Sequence, residues 1–355
     1  METIIKKITD NQEENNKIYE QAGQILRSGG LVAFPTETVY GLGGNALDSE
    51  ASGKIYAAKG RPSDNPLIVH IADTAALDEL CSEVPETAKV LAEAFWPGPL
   101  TMIMKKKPVV PDTITGGLDT VAIRMPVHPV AMQLIKVSGV YVAAPSANTS
   151  GRPSPTLAEH VAQDLSGKID MIIDGGPVEI GIESTIVDVT GDVPVILRPG
   201  YVTKEMLEAV IGEVRIDRAI TENAPVTAVP KAPGMKYKHY APKGDLTIVE
   251  CGESGSQDMV VKKINELAAQ KMAEGYKTGI LSTDGTKSLY NADVVYSVGN
   301  RSSEISISSH LFGCLRSFDD NGVQYIFSES FSRDNMGMAI MNRLMKAAGG
   351  KIIRL

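Results

Sequence analysis

The strongest constraint on the fold is a proline-rich segment that divides the chain in two. Four prolines fall close together between residues 221 and 243, at Pro225, Pro230, Pro233 and Pro242. Each proline ring fixes φ at about −65° and removes a backbone donor, so this stretch can form neither a regular helix nor a central strand. We expect an extended, semi-rigid linker over residues 216–243. Two domains follow from this, at residues 1–215 and 244–355.

The first domain is predicted to be a twisted mixed sheet with helices packed on it. Short apolar runs outnumber long helices there, and residues 31–34 and 100–104 are the clearest strands. Residues 11–28 have the spacing of an amphipathic helix, and Asp48 is placed to cap a helix that runs through Ala58. Many short strands with fewer helices indicate an α/β architecture.

The second domain is predicted to be a smaller, doubly wound parallel sheet. Its apolar runs alternate with helical stretches, the pattern that is typical of parallel strands joined by crossover helices. The runs are residues 246–249, 278–281, 294–296 and 325–327.

The composition indicates a protein that neither crosses a membrane nor coats nucleic acid. The net charge is −8 and aromatic residues make up 5%, whereas nucleic-acid binding needs a basic face and stacking platforms. No apolar run approaches the roughly 20 residues that span a bilayer, and the first residues lack the apolar core of a signal peptide. Cys81, Cys251 and Cys314 form no Cys-x-x-Cys pair and have no histidine spaced for zinc. We therefore expect a cytoplasmic location, no structural metal and no stable nucleic-acid binding.

Two cations occupy a short loop that prolines hold rigid. Lys59 and Arg61 stand two residues apart, and Pro62 and Pro66 limit how far the loop can flex before the strand at residues 68–71. Arginine offers a bidentate fork and lysine a compact charge, a combination that binds phosphates. A solvated basic turn is the alternative for an isolated Lys-x-Arg, so the surroundings must decide between the two.

Further polar side chains follow other apolar runs, at the positions where α/β sheets bind ligands. Taken singly, each has an ordinary explanation as a helix cap, a turn hydroxyl, a strand-edge charge or half of a surface ion pair. Together they bring four cations and several hydroxyls to converging strand ends, which favours one polyanionic ligand plus a small polar one. Besides the two loop cations these residues are Thr36, Thr120, Arg124, Ser146, Asn148, Ser154, Ser184 and Arg198.

The signatures of other nucleotide sites and common enzymes are absent from the sequence. It contains no G-x-x-x-x-G-K-[ST] and no G-x-S-x-G. Residues 41–46 fit the dinucleotide pattern G-x-G-x-x-A, but residues 35–40 separate them from the preceding strand. That fingerprint needs its glycines directly at the strand-to-helix turn. We therefore interpret residues 35–43 as a turn of hydroxyl and glycine residues.

Five segments together resemble the YrdC-type threonylcarbamoyl-AMP synthases. They are PTETVYGL at residues 35–42, KGRP at 59–62, SANTSG at 146–151, STIVD at 184–188 and LRPG at 197–200. In addition, APGMKYKHYAP at residues 232–242 is similar to the linker of a two-domain subgroup, in which a small Rossmann-like domain follows. The chain resembles that subgroup over its whole length.

This resemblance implies an ATP-dependent nucleotidyltransferase. Members of the family join L-threonine, bicarbonate and ATP into threonylcarbamoyl-AMP and release pyrophosphate, with Mg²⁺ on the phosphates. The product passes to the machinery that makes threonylcarbamoyladenosine in tRNA. The resemblance implies catalytic and ATP-binding roles for Lys59 and Arg61. It implies further ATP contacts at Ser63, Thr120, Ser146, Asn148, Ser154, Arg198 and Tyr237, and threonine contacts at Thr36, His70, Arg124 and Ser184.

Three residues need a separate comment. His70 either lines the threonine pocket or is a strand-edge histidine satisfied by the backbone, and the sequence gives the two equal weight. Tyr237 lies in the linker, which by resemblance folds over the pocket as a lid that excludes water. Glu37 is interpreted as structural and is left out of the predicted site.

Two other functions compete with this one. An RNA-binding or assembly module would use the same cations to hold a phosphate backbone, but the acidic charge and the few aromatic residues oppose it. A carbamoyl-transfer enzyme of hydrogenase maturation has a similar YrdC-like portion, but it needs acylphosphatase-like and zinc-finger segments that the sequence lacks. Threonine-dependent release of pyrophosphate from ATP and bicarbonate separates all three.

Overall fold

The computed structural model describes residues 2–221, 232, 239–252 and 255–355, and it divides them into two units. The first unit contains most of the chain before residue 222 together with Ala232. The second contains the described residues from 239 onward and two short earlier segments, Gly151–Pro153 and Ile180–Ile182. No helix among the described residues is long and apolar enough to span a bilayer.

The first unit is built on a mixed sheet whose eleven strands lie in its described residues, in the order β1-β8-β2-β3-β7-β4-β6-β5-β9-β10-β11. The strands are β1 (Ile4–Lys7), β2 (Val32–Phe34), β3 (Gly41–Asn45), β4 (Ile68–His70), β5 (Leu100–Lys105), β6 (Thr120–Arg124), β7 (Val142–Ala143), β8 (Met171–Asp174), β9 (Thr185–Asp188), β10 (Val195–Arg198) and β11 (Arg215–Ile216). The sheet contains both parallel and antiparallel pairs of neighbouring strands. The predicted mixed sheet is confirmed.

Helices pack against this sheet and begin where the sequence provides caps. The helices are α1 (Gln12–Arg27), α2 (Ser49–Lys59), α3 (Ala76–Leu80), α4 (Glu86–Phe95), α5 (Asp112–Thr115), α6 (Pro129–Ser138), α7 (Ala158–Leu165), α8 (Lys204–Ile211) and α9 (Arg218–Thr221). The Asp48 side chain accepts a hydrogen bond from Glu50 N, as the sequence predicts. Helix α2 therefore begins after Asp48 and delivers Lys59 at its last position.

The two faces of the central strands have different neighbours. In β6, Val121 and Ile123 enter the large apolar core, whereas Ala122 belongs to a smaller apolar cluster. The period of two along a strand places Thr120 and Arg124 on the same side as Ala122. The smaller cluster consists of Ile68, Ile103, Ala122, Ile186, Leu197 and Ala232. We call this side of the sheet the site face.

The structure corrects one prediction about local structure. Residues 41–43 were expected to lie in a turn, but they belong to the strand β3, which pairs antiparallel with β2 and β7. A Cβ added at Gly43 would lie 2.7 Å from Val142 Cγ1 and 2.8 Å from Phe34 Cε1. The glycine therefore permits close packing of a buried strand, and its low strand propensity is overridden by tertiary contacts.

The second unit is an all-parallel sheet flanked by helices, as predicted. Its strand order is β14-β13-β15-β12-β16. The strands are β12 (Asp245–Glu250), β13 (Thr278–Ser282), β14 (Val294–Ser297), β15 (Tyr325–Glu329) and β16 (Ile352–Arg354), and the helices are α10 (Gln257–Ala273), α11 (Glu304–Asp320) and α12 (Asn335–Ala347). The edge strand β16 was not predicted from sequence, because it is three residues long and lies at the chain end.

Candidate active site

A buried ion pair lies at the carboxyl end of β6. Arg124 Nη2 donates to Glu37 Oε1 at 2.5 Å, and Nη1 donates to Thr38 Oγ1 at 3.0 Å. The two charged side chains are only 5% and 4% exposed. Glu37 also accepts from Val127 N at 3.3 Å. The structure thus brings Arg124 against the loop that follows β2, and it places there an acid that the sequence analysis set aside.

Thr36 lies in the same loop, and its hydroxyl shapes the turn. Its Oγ1 donates to Val39 O at 2.7 Å and lies 2.8 Å from Thr38 Oγ1. It also accepts from the backbone N–H groups of Thr38 and Val39. Thr36 is buried, and it directly precedes Glu37, the ion-pair partner of Arg124. Its predicted contact with threonine stays a prediction.

A second cluster of hydroxyls and a cation adjoins the ion pair. Thr101 lies directly opposite Arg124 in the β5–β6 ladder, and its Oγ1 is 2.8 Å from Ser184 Oγ. Arg198 donates to Ser184 twice, from Nη2 to Oγ at 3.1 Å and from Nε to the backbone oxygen at 3.0 Å. All are buried. Arg124 thus has Thr101 as its cross-strand neighbour, and hydrogen bonds lead from Thr101 through Ser184 to Arg198, which lies 74 positions after Arg124 in the sequence.

Ser154 joins the same region through Glu183. Its Oγ donates to Glu183 Oε1 at 2.5 Å, and both side chains are buried. Glu183 directly precedes Ser184 in the chain. Ser154, a predicted ATP contact, is thus hydrogen-bonded to the residue next to Ser184, a predicted threonine contact. Sequence reasoning singled out neither Glu183 nor Thr101 as a site residue.

Lys59 is buried and binds the loop that contains Ser146 and Asn148. Its Nζ donates to the backbone oxygens of Ser146 and Asn148, each at 2.5 Å. Ser146 Oγ donates to Asn148 Oδ1 at 2.6 Å, and Ser146 forms an isolated bridge with Gly41. Gly41 comes three residues after Thr38, which accepts from Arg124. The loop of Ser146 and Asn148, to which Lys59 binds, therefore adjoins the region of the Glu37–Arg124 ion pair.

Arg61 and Ser63 occupy the surface of the proline-bounded loop. Arg61 Nη2 donates to Pro66 O at 3.2 Å and its Nε to Asn65 O at 3.4 Å. Arg61 is partly exposed and Ser63 is exposed. This accessibility suits a loop that receives a phosphate from solvent.

Thr120 lies at the start of β6, four residues before Arg124. At about 3.3 Å per residue the two Cα atoms are roughly 13 Å apart along the strand. Strand β4, which runs parallel to β6, begins just after the loop of Arg61 and Ser63. Arg124, the predicted threonine contact on β6, therefore lies at the end of that strand. Thr120, the predicted ATP contact, lies at its beginning, on the side of the loop that contains Arg61 and Ser63.

His70 is enclosed in the sheet and satisfied by the backbone. The side chain is 3% exposed, and its Nδ1 lies 3.1 Å from Ile68 O. Burial, with the charge of Arg124 as a second cause, lowers the pKa of His70 to about 3. The imidazole is therefore uncharged near pH 7. Its predicted contact with threonine stays a prediction.

Acid should destabilise the first unit through His70. The pKa of the unfolded histidine is about 6.5, so between that value and the folded value of about 3 the unfolded chain binds the extra proton. The stability contributed by a neutral His70 is therefore complete above about pH 6.5 and is lost as the pH falls toward 3, at up to about 1.4 kcal/mol per pH unit. Trp96, the single tryptophan of the chain, lies in the first unit and reports its unfolding by fluorescence.

Replacing His70 with glutamine should flatten this dependence. We expect the slope of the unfolding free energy against pH to fall by about 1.4 kcal/mol per unit between about pH 4 and 6, measured by denaturant titration. An unchanged slope would show that His70 does not take up the proton on unfolding.

Tyr237 lies outside the described residues, and so does most of the predicted linker. Within the predicted linker, the structure describes residues 216–221, Ala232 and residues 239–243. Ala232 is fully buried on the site face, in the cluster with Ile68, Ile103 and Ala122. The described residues contain no group of three or more histidine, cysteine, aspartate or glutamate side chains that could hold a metal ion.

Taken together, the first unit is an α/β domain in which buried cations and hydroxyls lie at strand ends. Family models match most of the chain. The model for the Sua5, YciO and YrdC proteins, described as telomere recombination, matches residues 24–200, and the model for the C-terminal domain of threonylcarbamoyl-AMP synthase matches residues 202–349.

Individual relatives match over the full length. Threonylcarbamoyl-AMP synthases of Bacillus subtilis and Pyrococcus abyssi are each 51% identical, over 98% and 99% of this chain and 97% and 100% of theirs. The crystal structure of P. abyssi Sua5 complexed with L-threonine superposes with a TM-score of 0.91 at 48% identity and covers 100% of both chains. The chain belongs to the Sua5 family of two-domain threonylcarbamoyl-AMP synthases.

The predicted class of enzyme is thereby confirmed. The family comprises transferases that make an adenylate intermediate from ATP, and it serves the threonylcarbamoyladenosine modification of tRNA.

Proposed function

We propose that the first unit joins L-threonine, bicarbonate and ATP into threonylcarbamoyl-AMP and releases pyrophosphate. The observation that carries this proposal is that Thr101, the cross-strand neighbour of Arg124, is joined to Arg198 by hydrogen bonds through Ser184. Two buried cations beside several hydroxyls suit two anionic reactants that must meet, because they offset the repulsion between them. Full-length relatives named for this product support the same conclusion.

The chemistry requires alignment more than a general acid or base. The threonine amine and bicarbonate give an N-carboxylate and water. An oxygen of this carboxylate then attacks the α-phosphorus of ATP, and the bond to the β-phosphate oxygen breaks to release pyrophosphate. Neutralisation of charge and positioning in line are the main contributions that a protein makes to such a transfer.

The residues divide between the two substrates along the site. We assign Arg124 to the threonine carboxylate, since a guanidinium can bind a carboxylate with two hydrogen bonds. Thr36, Ser184 and His70 complete the threonine contacts. Lys59 and Arg61 bind the triphosphate and stabilise the departing pyrophosphate. Ser63, Thr120, Ser146, Asn148, Ser154, Arg198 and Tyr237 surround the nucleotide.

Mg²⁺ enters this proposal as part of the substrate, bound to the phosphates of ATP. This ion keeps much of its water and commonly binds through phosphate oxygens, so it needs few protein ligands. We further propose a cytoplasmic enzyme whose product passes to a tRNA threonylcarbamoyl-transfer machinery, because the mixed anhydride is hydrolysed by water and must be used promptly.

The reaction is tested by measuring pyrophosphate release from ATP with the full-length protein. We expect release that requires both L-threonine and bicarbonate, with threonylcarbamoyl-AMP identified by mass spectrometry. Omission of bicarbonate from CO₂-free buffer and replacement of L-threonine by D-threonine are the controls. Release of phosphate and ADP, or release of pyrophosphate without threonine, would contradict the proposal.

The linker is proposed to close over the site and protect the product. Ala232 supports this, because it is buried on the site face within the first unit, against strands that also carry Arg124 and Thr101. Thr120, a predicted ATP contact, lies on the same side of strand β6 as Ala122, which packs with Ala232. The predicted role of Tyr237 extends this proposal.

Replacing Ala232 with aspartate should release the linker from the site face. A carboxylate cannot enter an apolar cluster without losing its hydration, so the anchor should detach. We expect Ala232→Asp to shorten the lifetime of threonylcarbamoyl-AMP on the enzyme and to raise its rate of hydrolysis. Ala75→Asp, at an exposed position of the same unit, is the control. Equal product lifetimes in the two variants would contradict the lid.

A further inference from the structure

Glu37 is the acid in the site whose role the proposed chemistry leaves unexplained. Its Oε1 accepts from Arg124 Nη2 at 2.5 Å, and its Oε2 accepts from Val127 N at 3.3 Å. The side chain is almost fully buried. A carboxylate loses much of its hydration in such a place, and it is retained only where partners compensate for that loss.

The environment of Glu37 keeps it ionised. Burial alone would raise the pKa of its carboxyl, but the charge and hydrogen bond of Arg124 outweigh burial, so the pKa lies below its ordinary value. A carboxylate with a lowered pKa is a weak base, and it is therefore poorly suited to take a proton from the threonine ammonium. Its contacts are with Arg124 and with backbone, which points to a role that acts through the guanidinium.

Within the described part of the chain, the guanidinium of Arg124 has acceptors for its two terminal nitrogens and an unused donor at Nε. Glu37 and Thr38 accept from its two terminal nitrogens. Its Nε is buried and has no hydrogen-bond partner among the residues that the structure describes. A buried donor that is left unpaired is unfavourable, and a carboxylate is the group that best satisfies a guanidinium edge.

We infer that Glu37 is a positioning residue for substrate binding. Together with Thr38 it holds the guanidinium of Arg124 in one orientation, so that the Nε donor meets the carboxylate of the amino-acid substrate. This inference rests on the proposed function, which places L-threonine at Arg124.

The charge of the pair also matches the substrate. Glu37 and Arg124 together are neutral, so the pair attracts a triphosphate less than a lone buried arginine would. A singly charged carboxylate can still be bound, because the remaining N–H donors of Arg124 supply directed hydrogen bonds. Glu37 thereby lowers the attraction of phosphate to Arg124, so that phosphate binds at the loop of Lys59 and Arg61 and the amino acid binds at Arg124.

Glu37→Gln in the full-length protein tests the inference, with L-threonine binding measured by calorimetry and the KM values for threonine and ATP measured by pyrophosphate release. Glutamine preserves shape but removes the charge that orients Arg124. We expect the Kd and KM for threonine to rise about tenfold, with the KM for ATP changed by less than about twofold. The matched control is Glu329→Gln, a fully buried acid that pairs with Arg301 in the second unit; it should leave the Kd for threonine unchanged.

A double-mutant cycle separates this inference from the proposed function. Arg124→Ala should remove most threonine affinity, and Glu37→Gln added to Arg124→Ala should cause no further loss, because Glu37 acts only through Arg124. If Arg124→Ala leaves threonine affinity intact, the assignment of threonine to Arg124 fails. If Arg124→Ala lowers affinity but Glu37→Gln does not, the positioning role of Glu37 is overturned.

Folding of the variants is checked by Trp96 fluorescence. Should Glu37→Gln not fold, Thr38→Val supplies the second test, since it keeps the ion pair and removes the acceptor of Arg124 Nη1. Weaker threonine binding with an unchanged KM for ATP supports the inference. Unchanged threonine binding overturns it.

Discussion

Replacing Lys59 with alanine is expected to lower the rate of adenylate formation by about 10²- to 10³-fold. The Lys59 ammonium is 1% exposed and binds the backbone oxygens of Ser146 and Asn148. Alanine would leave both oxygens without this donor, at about 1–3 kcal/mol each. The loop that contains Ser146 and Asn148 would then lose its anchor, and the phosphates of ATP would lose the nearest ammonium. Pyrophosphate release at saturating threonine measures the effect.

Lys54 provides a matched control for this experiment. It lies on the same helix α2, and its Nζ also donates to a backbone oxygen, that of Gly29, at 2.7 Å. We expect Lys54→Ala to reduce stability slightly and to leave the rate nearly unchanged, because Gly29 lies outside the predicted site. Near-normal turnover of Lys59→Ala would remove Lys59 from the catalytic residues, whereas equal losses in both variants would indicate a general effect on folding.

Strands and helices with strong local signals could be predicted from the sequence. The run predicted at residues 31–34 forms β2 (Val32–Phe34), and the apolar run from Leu100 forms β5. The cap at Asp48 was recognised because a side-chain acceptor before a helix satisfies its free N–H groups. These features depend on neighbours within a few positions, which a sequence displays directly.

Features that depend on distant partners could not be predicted in the same way. The glycines of β3 look like a turn, and only the closeness of Phe34 and Val142 shows why a strand must have glycine there. Glu37 was interpreted as structural and left out of the predicted site. Its pairing with Arg124 joins positions 87 residues apart, and no local pattern announces it.

The residues of the candidate site could be predicted in part from the sequence. The cations and hydroxyls of the site were recognised by their positions after apolar strands. The structure joins Ser184 and Arg198 by a hydrogen bond and places Arg124 opposite Thr101, which contacts Ser184. Thr101 was missed, although alternation along β5 puts it on the same face as Ile103. Strand order decides which of these side chains face one another, and strand order depends on long-range pairing that local patterns do not specify.

Gly200→Ala is expected to impair both stability and threonine binding strongly. Gly200 follows β10, and a Cβ built there would lie 2.4 Å from Thr185 N, 2.8 Å from Glu183 O and 2.8 Å from Ser184 C. All three are backbone atoms, so no side chain can rotate out of the way. We expect the unfolding free energy to fall by about 1–3 kcal/mol, as in other overpacked sites.

The clash acts on the segment that carries Ser184. If the backbone of residues 183–185 moves by about 1 Å to admit the methyl group, the hydrogen bonds of Ser184 to Thr101 and Arg198 must lengthen. A displacement of that size can cost about 10²-fold in activity. Gly191→Ala is the control, because a Cβ there meets no atom within 4 Å. Stability is measured by Trp96 fluorescence during denaturation, and threonine binding is measured by the KM for threonine. If Gly200→Ala matches Gly191→Ala in both, the backbone of residues 183–185 can move without loss of stability or binding, and the prediction is wrong.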